Sequence, residues 1–215
     1  MKGRFITFEG IEGSGKSTQI VLLQHHLQSS GMRVALTREP GGTAIGDQIR
    51  KILLDPANTA LDPAAELLLY AASRAQHLRE VILPALRDGM VVLCDRFSDA
   101  TLAYQGYGRG LDIGMIFELD RLVTAGMRPD LTLLFDIEAA AGVARAHGRN
   151  RDRGLEAEAR FENEEIAFHE RVRQGYLTLS RREPERIRVV DASPSPEDVQ
   201  KRVRMLVDEK LRVET

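Results

Sequence analysis

A chain of 215 residues with 43% hydrophobic and 29% charged residues has the composition of a globular enzyme, too apolar for a disordered chain and long enough to bury a large core. Its net charge of −2 gives no electrostatic reason to bind nucleic acid, and no run approaches the roughly 18 uninterrupted apolar residues of a membrane span. The N-terminus MKGRFITFEG lacks an apolar signal core and the lone Cys94 has no disulfide partner, so a cytoplasmic enzyme is expected.

Apolar runs that suit buried strands occur at Arg4–Phe8, Arg33–Thr37, Met90–Cys94, Leu131–Phe135 and Ile187–Val190. Between them lie longer segments with helical spacing, such as Gln19, Leu22, Leu23, His26 and Leu27, and later Leu67, Leu68, Ala71, Leu78, Val81 and Ile82. Strands that alternate with helices pair in parallel through right-handed crossovers. The expectation is therefore a three-layer α/β fold, a parallel five-stranded sheet flanked by helices, in one domain over residues 1–215. Cys94, inside MVVLCD, reads as a buried strand residue rather than a nucleophile.

Ligands in such sheets gather beyond the carboxyl ends of the strands. Polar residues follow each apolar run there: GIEGSGKS, REPGG, DR, Asp136 and Asp191-Ala192-Ser193. One segment is compositionally unusual. Arg145–Arg160, RAHGRNRDRGLEAEAR, carries Arg145, Arg149, Arg151, Arg153 and Arg160, and by itself fits a solvated surface loop. The chain has 25 Arg against 5 Lys, which suits bidentate phosphate contacts but equally follows from codon usage.

Gly10-Ile11-Glu12-Gly13-Ser14-Gly15-Lys16-Ser17 satisfies G-x-x-x-x-G-K-[ST] after a strand and before a helix. Glycines let backbone N–H groups turn inward, and the helix starting near Lys16 adds its positive end. Lys16 would bridge the β- and γ-phosphates, Ser17 would ligate Mg²⁺, and Thr18 would lie beside the α-phosphate. ATP or GTP is the expected ligand. The chain has no N-K-x-D for guanine, and its best acidic strand end is Cys94-Asp95-Arg96 rather than Asp-Glu. An Asp followed at once by Arg suits a site that holds Mg²⁺ and a second phosphate-bearing ligand. Arg38, Arg74 and Arg96 are cations that would let two polyanions meet, as a phosphate acceptor requires.

Over essentially its whole length the chain resembles bacterial thymidylate kinases, through FEGIEGSGKST (8–18), REPGGT (38–43), YAASRAQH (70–77), DRFSDATLAYQG (95–106), RPDLTLLFD (128–136) and VDAS (190–193). The resemblance implies transfer of the ATP γ-phosphate to dTMP, giving dTDP and ADP with Mg²⁺, in a cytoplasmic homodimer. It places Glu12 at the deoxyribose 3′-hydroxyl and the reacting phosphates, Arg38 and Arg96 on the dTMP phosphate, and Asp95 on the metal side. Glu9 either supports the metal or ends the strand. It also implies Arg74 on thymine O4, Tyr70 stacked on the ring, Thr101 at the thymine edge and Tyr104 against C2′, where it would reject ribonucleotides. Gln105 closes that side, and Pro40 belongs to a turn close to the acceptor. The arginine-rich segment becomes a lid over about 145–160. Arg149 and Arg153 supply charge that the 11–14 stretch lacks, Arg145 lies at the adenine and Arg160 has no assigned role. Asp191 and Ala192 border the adenine, although Asp191 equally suits a cap on the final helix. Two positions depart from the family pattern: Ala100 stands where Ser is usual, and Ala159-Arg160 where the lid commonly ends in Asp-Arg.

Two other functions fit a phosphate loop. One is a P-loop kinase for a different nucleoside monophosphate or for a deoxynucleoside, the latter needing a base for the 5′-hydroxyl and no arginine pair for an acceptor phosphate. A nucleotide switch would need no acceptor pocket and would hydrolyse ATP whether or not dTMP is present.

Overall fold

Each of the five apolar runs forms a strand, and each strand ends one residue later than its apolar pattern: β1 Arg4–Glu9, β2 Val34–Arg38, β3 Val91–Asp95, β4 Leu131–Asp136 and β5 Ile187–Asp191. The computed structural model describes residues 3–153 and 160–212, without the side chains of residues 149–153 and 212. All strand pairs are parallel, in the order β2-β3-β1-β4-β5. The added residue is polar in every strand because ladder hydrogen bonds come from the backbone and persist where the apolar layer stops. Register therefore sets Arg38 beside Asp95 and Asp136 beside Asp191 along one edge of the sheet.

Helices cover both faces: α1 Lys16–Ser29, α2 Ala44–Leu54, α3 Pro63–His77, α4 Leu83–Arg87, α5 Ser98–Thr101, α6 Ile113–Thr124, α7 Ala139–Arg153, α8 Ile166–Arg182 and α9 Pro196–Arg212. Local chemistry sets their starts. Thr43, Asp62 and Asp112 accept hydrogen bonds from first-turn N–H groups of α2, α3 and α6, and Pro63 opens α3 where no donor is needed. Ser195 caps α9 through Asp198 N, so the capping role considered for Asp191 belongs to Ser195. The long apolar stripe at 67–82 stays helical but widens into a π-helical turn, Leu78–Ile82, and another, Leu102–Gly108, follows α5. Such turns are frequent at functional sites.

Strand alternation divides the core. Ile6 and Phe8 face the larger cluster with Leu23, Leu133, Phe135 and Val203, while Phe5 faces Val92, Cys94, Phe97 and Ile82. Cys94 is fully buried there, donating Sγ–H to Arg96 O, as its strand setting predicts. At the far end of the sheet Arg186 pairs with buried Asp99 through two bonds of 2.7 and 2.8 Å, tying the start of β5 to α5. Arg145 lies on α7, so the first part of the segment expected as a loop continues a helix.

Candidate active site

The strand ends open into a cavity of about 870 Å³. One wall is the loop between β1 and α1. Gly13 has φ +69°, and a Cβ there would meet Gly142 O at 1.9 Å, so the loop packs against α7 only as glycine. Gly10, with φ +137°, abuts Phe135 O in the same way. Lys16 Nζ donates to Gly10 O, Ile11 O and Ser14 Oγ, and burial lowers its pKa to about 8. Ser17 Oγ lies 3.4 Å from Asp95 Oδ2, which brings a hydroxyl and a carboxylate together at the cavity mouth.

From that loop Glu12 reaches Arg96 and Tyr104 of the opposite wall. Arg96 Nη2 donates to Glu12 Oε1 at 2.9 Å, and the Tyr104 hydroxyl lies 2.7 and 2.8 Å from the two carboxylate oxygens. Burial opposes ionisation of Glu12, but Arg96, His169 and Lys16 outweigh it and hold the carboxyl below the usual range. Glu12 is therefore a fixed anion. Arg96 takes φ +69°, a costly conformation for a non-glycine residue. It is held by bonds to Gly10 O, the Tyr176 hydroxyl and Glu12, and its guanidinium stacks 4.8 Å from the Tyr104 ring centroid. Tyr70, Leu54, Phe161 and Ala100 give the remaining wall an apolar character.

The thymidylate kinase family model matches residues 8–203. A thymidylate kinase of Trichlorobacter lovleyi is 60% identical over 195 residues, covering 91% of this chain and 92% of that protein. One of Syntrophotalea carbinolica is 58% identical over 199 residues, 93% of this chain and 92% of that protein. The chain belongs to the thymidylate kinase family. The crystal structure of an Ehrlichia chaffeensis thymidylate kinase superposes with a TM-score of 0.76 at 34% identity, covering 97% of this chain and 99% of that one. The fold is that of the P-loop NTPases, and the reaction is phosphorylation of dTMP to dTDP with ATP as donor.

Most of the family-implied residues line this one cavity: Glu12, Gly13, Ser14, Gly15, Lys16, Ser17, Thr18, Arg38, Pro40, Tyr70, Asp95, Arg96, Ala100, Thr101, Tyr104, Gln105 and Arg145. Gly10 and Ile11 lie just behind and serve Lys16 through their carbonyls. Arg38 is exposed, 3.8 Å from Asp47. Arg74, expected on thymine O4, does not line the cavity. It donates to Glu39 and Asp120, and to Thr101 Oγ1 at 2.8 Å, which leaves two of its five N–H groups. Asp191 and Ala192 are outside the lining, where Asp191 accepts from Ser193 and Ala192 O accepts from Arg145 at 3.1 Å. Arg160 points away, with bonds to Leu53 O and Glu66. The side chains of Arg149 and Arg153 lie outside the described residues.

Glu9 is fully buried, with Oε1 accepting from Phe97 N and Oε2 from the Tyr176 hydroxyl, each at 2.7 Å. Burial and then the nearby Asp99 push its carboxyl up to about 8. Both oxygens are held by protein donors inside the core, so of the two readings of Glu9 its geometry favours a strand-end brace over metal support.

Several residues of the site have no motif. His169 and Tyr176 come from α8, an ordinary-looking amphipathic helix. His169 is fully buried with Nδ1 3.3 Å from Glu12 Oε2, an ion-pair distance whose direction makes no hydrogen bond. Their spacing of seven puts both on one face of α8, where His169 meets Glu12 and Tyr176 meets Glu9 and Arg96 behind the cavity wall, but nothing in the sequence pairs them with Glu9 or Glu12. Glu39, within REPGGT, anchors both Arg74 and His77 behind the Pro40 turn.

Proposed function

We propose that this cavity holds ATP and dTMP together and passes the γ-phosphate in line from one to the other. An oxygen of the dTMP phosphate forms a bond to Pγ while the bond from Pγ to the ADP oxygen breaks. The acceptor is already an anion, so no base has to remove a proton. The observation that carries this reading is the contact of the phosphate loop, through Glu12, with an arginine and a tyrosine of the opposite wall, in a space of about 870 Å³ that suits two nucleotides end to end.

The backbone N–H groups of residues 13–18 cradle the ATP phosphates, and Lys16 exchanges its three loop acceptors for β- and γ-phosphate oxygens. Arg96 and Arg38 hold the dTMP phosphate. Glu12 accepts from the deoxyribose 3′-hydroxyl, an arrangement supported by its ionised state. Tyr70 stacks on thymine, Thr101 meets the base edge with Arg74 behind it, and Tyr104 fills the space beside C2′. Pro40, Ala100 and Gln105 complete the acceptor side. At the donor end Arg145 and the 191–192 backbone flank the adenine, supported by the Arg145 bond to Ala192 O. Arg149 and Arg153 of the segment at about 145–160 are assigned to the developing charge on Pγ, within a single kinase domain spanning 1–215.

Ser17 and Asp95 would hold Mg²⁺. A hydroxyl and a carboxylate 3.4 Å apart fit an ion that takes one or two protein oxygens and fills its shell with phosphates and water. Once bound, the ion neutralises charge on the β- and γ-phosphate oxygens.

The homodimer reading is supported by α2, α3 and α6, which pack side by side and expose Ile45, Ile52, Leu68, Met115 and Leu122. Leu67 and Leu102 are buried in the core and offer nothing to such an interface. A cytoplasmic location is supported by the single buried cysteine, and among the described residues no helix is long and apolar enough to cross a membrane.

A bisubstrate analogue, adenosine and thymidine joined by five phosphates, tests the shared cavity. Competitive inhibition against both ATP and dTMP is expected. Competition with only one of them would contradict the arrangement.

A further inference from the structure

Gln105 lies in the cavity wall with only 1% of its surface exposed, and its Nε2 donates to Glu66 Oε1 at 2.7 Å. Glu66, in the first turn of α3, is equally buried and lies outside the cavity lining. A carboxylate only accepts hydrogen bonds, so the Gln105 amide must turn its nitrogen toward Glu66 and its Oε1 away from it. Glu66 itself is pinned by two arginines. Arg109 approaches both of its oxygens at 3.4 Å, and Arg160 bonds to Oε2. Arg109 is also paired with Glu164 at 2.6 Å, so the cluster of Glu66, Glu164, Arg109 and Arg160 is neutral. Arg160 further holds α2 through Leu53 O, next to the cavity residue Leu54. A buried carboxylate with this many donors has one arrangement, and a half-satisfied one is costly.

We propose that Glu66 is a positioning residue for the acceptor side of the reaction: by holding Gln105 Nε2 it presents Gln105 Oε1 to the cavity as a fixed hydrogen-bond acceptor for the nucleoside monophosphate. The site then rewards a monophosphate that offers a ring N–H at that point, since the single sugar hydroxyl of dTMP is already given to Glu12. This rests on the reading of the cavity as the dTMP site.

Glu66→Gln keeps the shape but offers both a donor and an acceptor, so Gln105 no longer has a single orientation. The expected result is a rise of about tenfold in KM for dTMP, the scale of one lost hydrogen bond, with KM for ATP within about twofold. In a Gln105→Ala background the same Glu66→Gln change should move KM for dTMP by less than about twofold, because the group it acts through is gone. An equal rise in both backgrounds would overturn the proposal. The N3-methyl analogue of dTMP, which lacks that donor, should show a KM insensitive to Glu66→Gln while the 3′-deoxy analogue keeps the sensitivity of dTMP, and equal sensitivity of both would also count against the proposal. Should the variants fail to fold, hydrogen exchange of the Gln105 side-chain amide in the unaltered protein still decides the matter. Slow exchange is expected, and exchange at the rate of a free glutamine would refute it. A protein that does not turn over dTMP at all would remove the site reading, while the amide measurement would still settle the Glu66–Gln105 orientation.

Discussion

Tyr104→Phe removes one oxygen and leaves the ring in place. In the native site that hydroxyl is the closest donor to Glu12, at 2.7 and 2.8 Å, against 2.9 Å for Arg96, while His169 at 3.3 Å is not aligned to donate. A hydrogen bond to a charged group contributes about 1.5–3 kcal/mol, and both residues are buried, so solvent replaces little of it. Arg96 remains to balance the charge, which favours the lower part of that range. A loss of about 2 kcal/mol corresponds to roughly 30-fold in kcat/KM. The assay is steady-state ADP formation with dTMP varied at saturating Mg·ATP, and then with ATP varied. The expected result is a loss of 10- to 100-fold in kcat/KM for dTMP with KM for ATP unchanged. The ring still packs against Phe161 at 5.4 Å between centroids, so discrimination against the ribose monophosphate should survive in Tyr104→Phe and weaken in Tyr104→Ala. A Tyr104→Phe enzyme within twofold of wild type for dTMP would refute the idea that Glu12 is aimed by its hydrogen bonds.

Other predictions follow from the same geometry. Glu9 has its folded pKa raised to about 8, above its ordinary 4.5, so the folded chain binds the extra proton and wild-type stability falls as pH rises from about 4.5 through about 8. Glu9→Gln, whose amide can satisfy both Phe97 N and the Tyr176 hydroxyl, should match wild type in Tm near pH 4.5 and exceed it increasingly toward pH 8; parallel Tm curves would contradict this. Asp95→Asn should raise the Mg²⁺ concentration needed for half-maximal rate severalfold with little change in Tm, since the only side-chain bond described for Asp95 is the long one from Ser17; an unchanged Mg²⁺ titration would remove it from the metal site. Arg186→Met strands the buried Asp99 and should cost about 3 kcal/mol, lowering Tm by roughly 6–12 °C while KM for both substrates stays the same, as read by calorimetry and kinetics on one preparation. Gly13→Ala, whose Cβ would meet Gly142 O at 1.9 Å, should abolish ATP binding in calorimetric titration.

The sheet and its order of ligand-bearing ends were largely legible because buried parallel strands need continuous apolar runs, and the residue just past each run is where side chains leave the core. The phosphate loop was legible because its glycines answer a backbone requirement that few other sequences meet. Glu9 was not, since a carboxylate next to a glycine loop looks the same whether it faces a metal or Phe97 N and the Tyr176 hydroxyl. Nor were His169, Tyr176 and Glu66, which act through contacts across 157, 167 and 39 positions of chain, as in the Tyr176–Glu9 and Gln105–Glu66 bonds. Helical periodicity marks such residues only as facing inward. Arg160 shows the limit from the other side: composition grouped it with the phosphate-binding arginines, and its bonds join it to Glu66 instead.

The most direct test of the account is ADP formation from Mg·ATP with dTMP, dUMP, ribose TMP, dCMP or thymidine supplied in turn. The account predicts strong turnover with dTMP, weaker with dUMP, and little with the other three. Turnover of thymidine without dTMP, or hydrolysis indifferent to every acceptor, would contradict it.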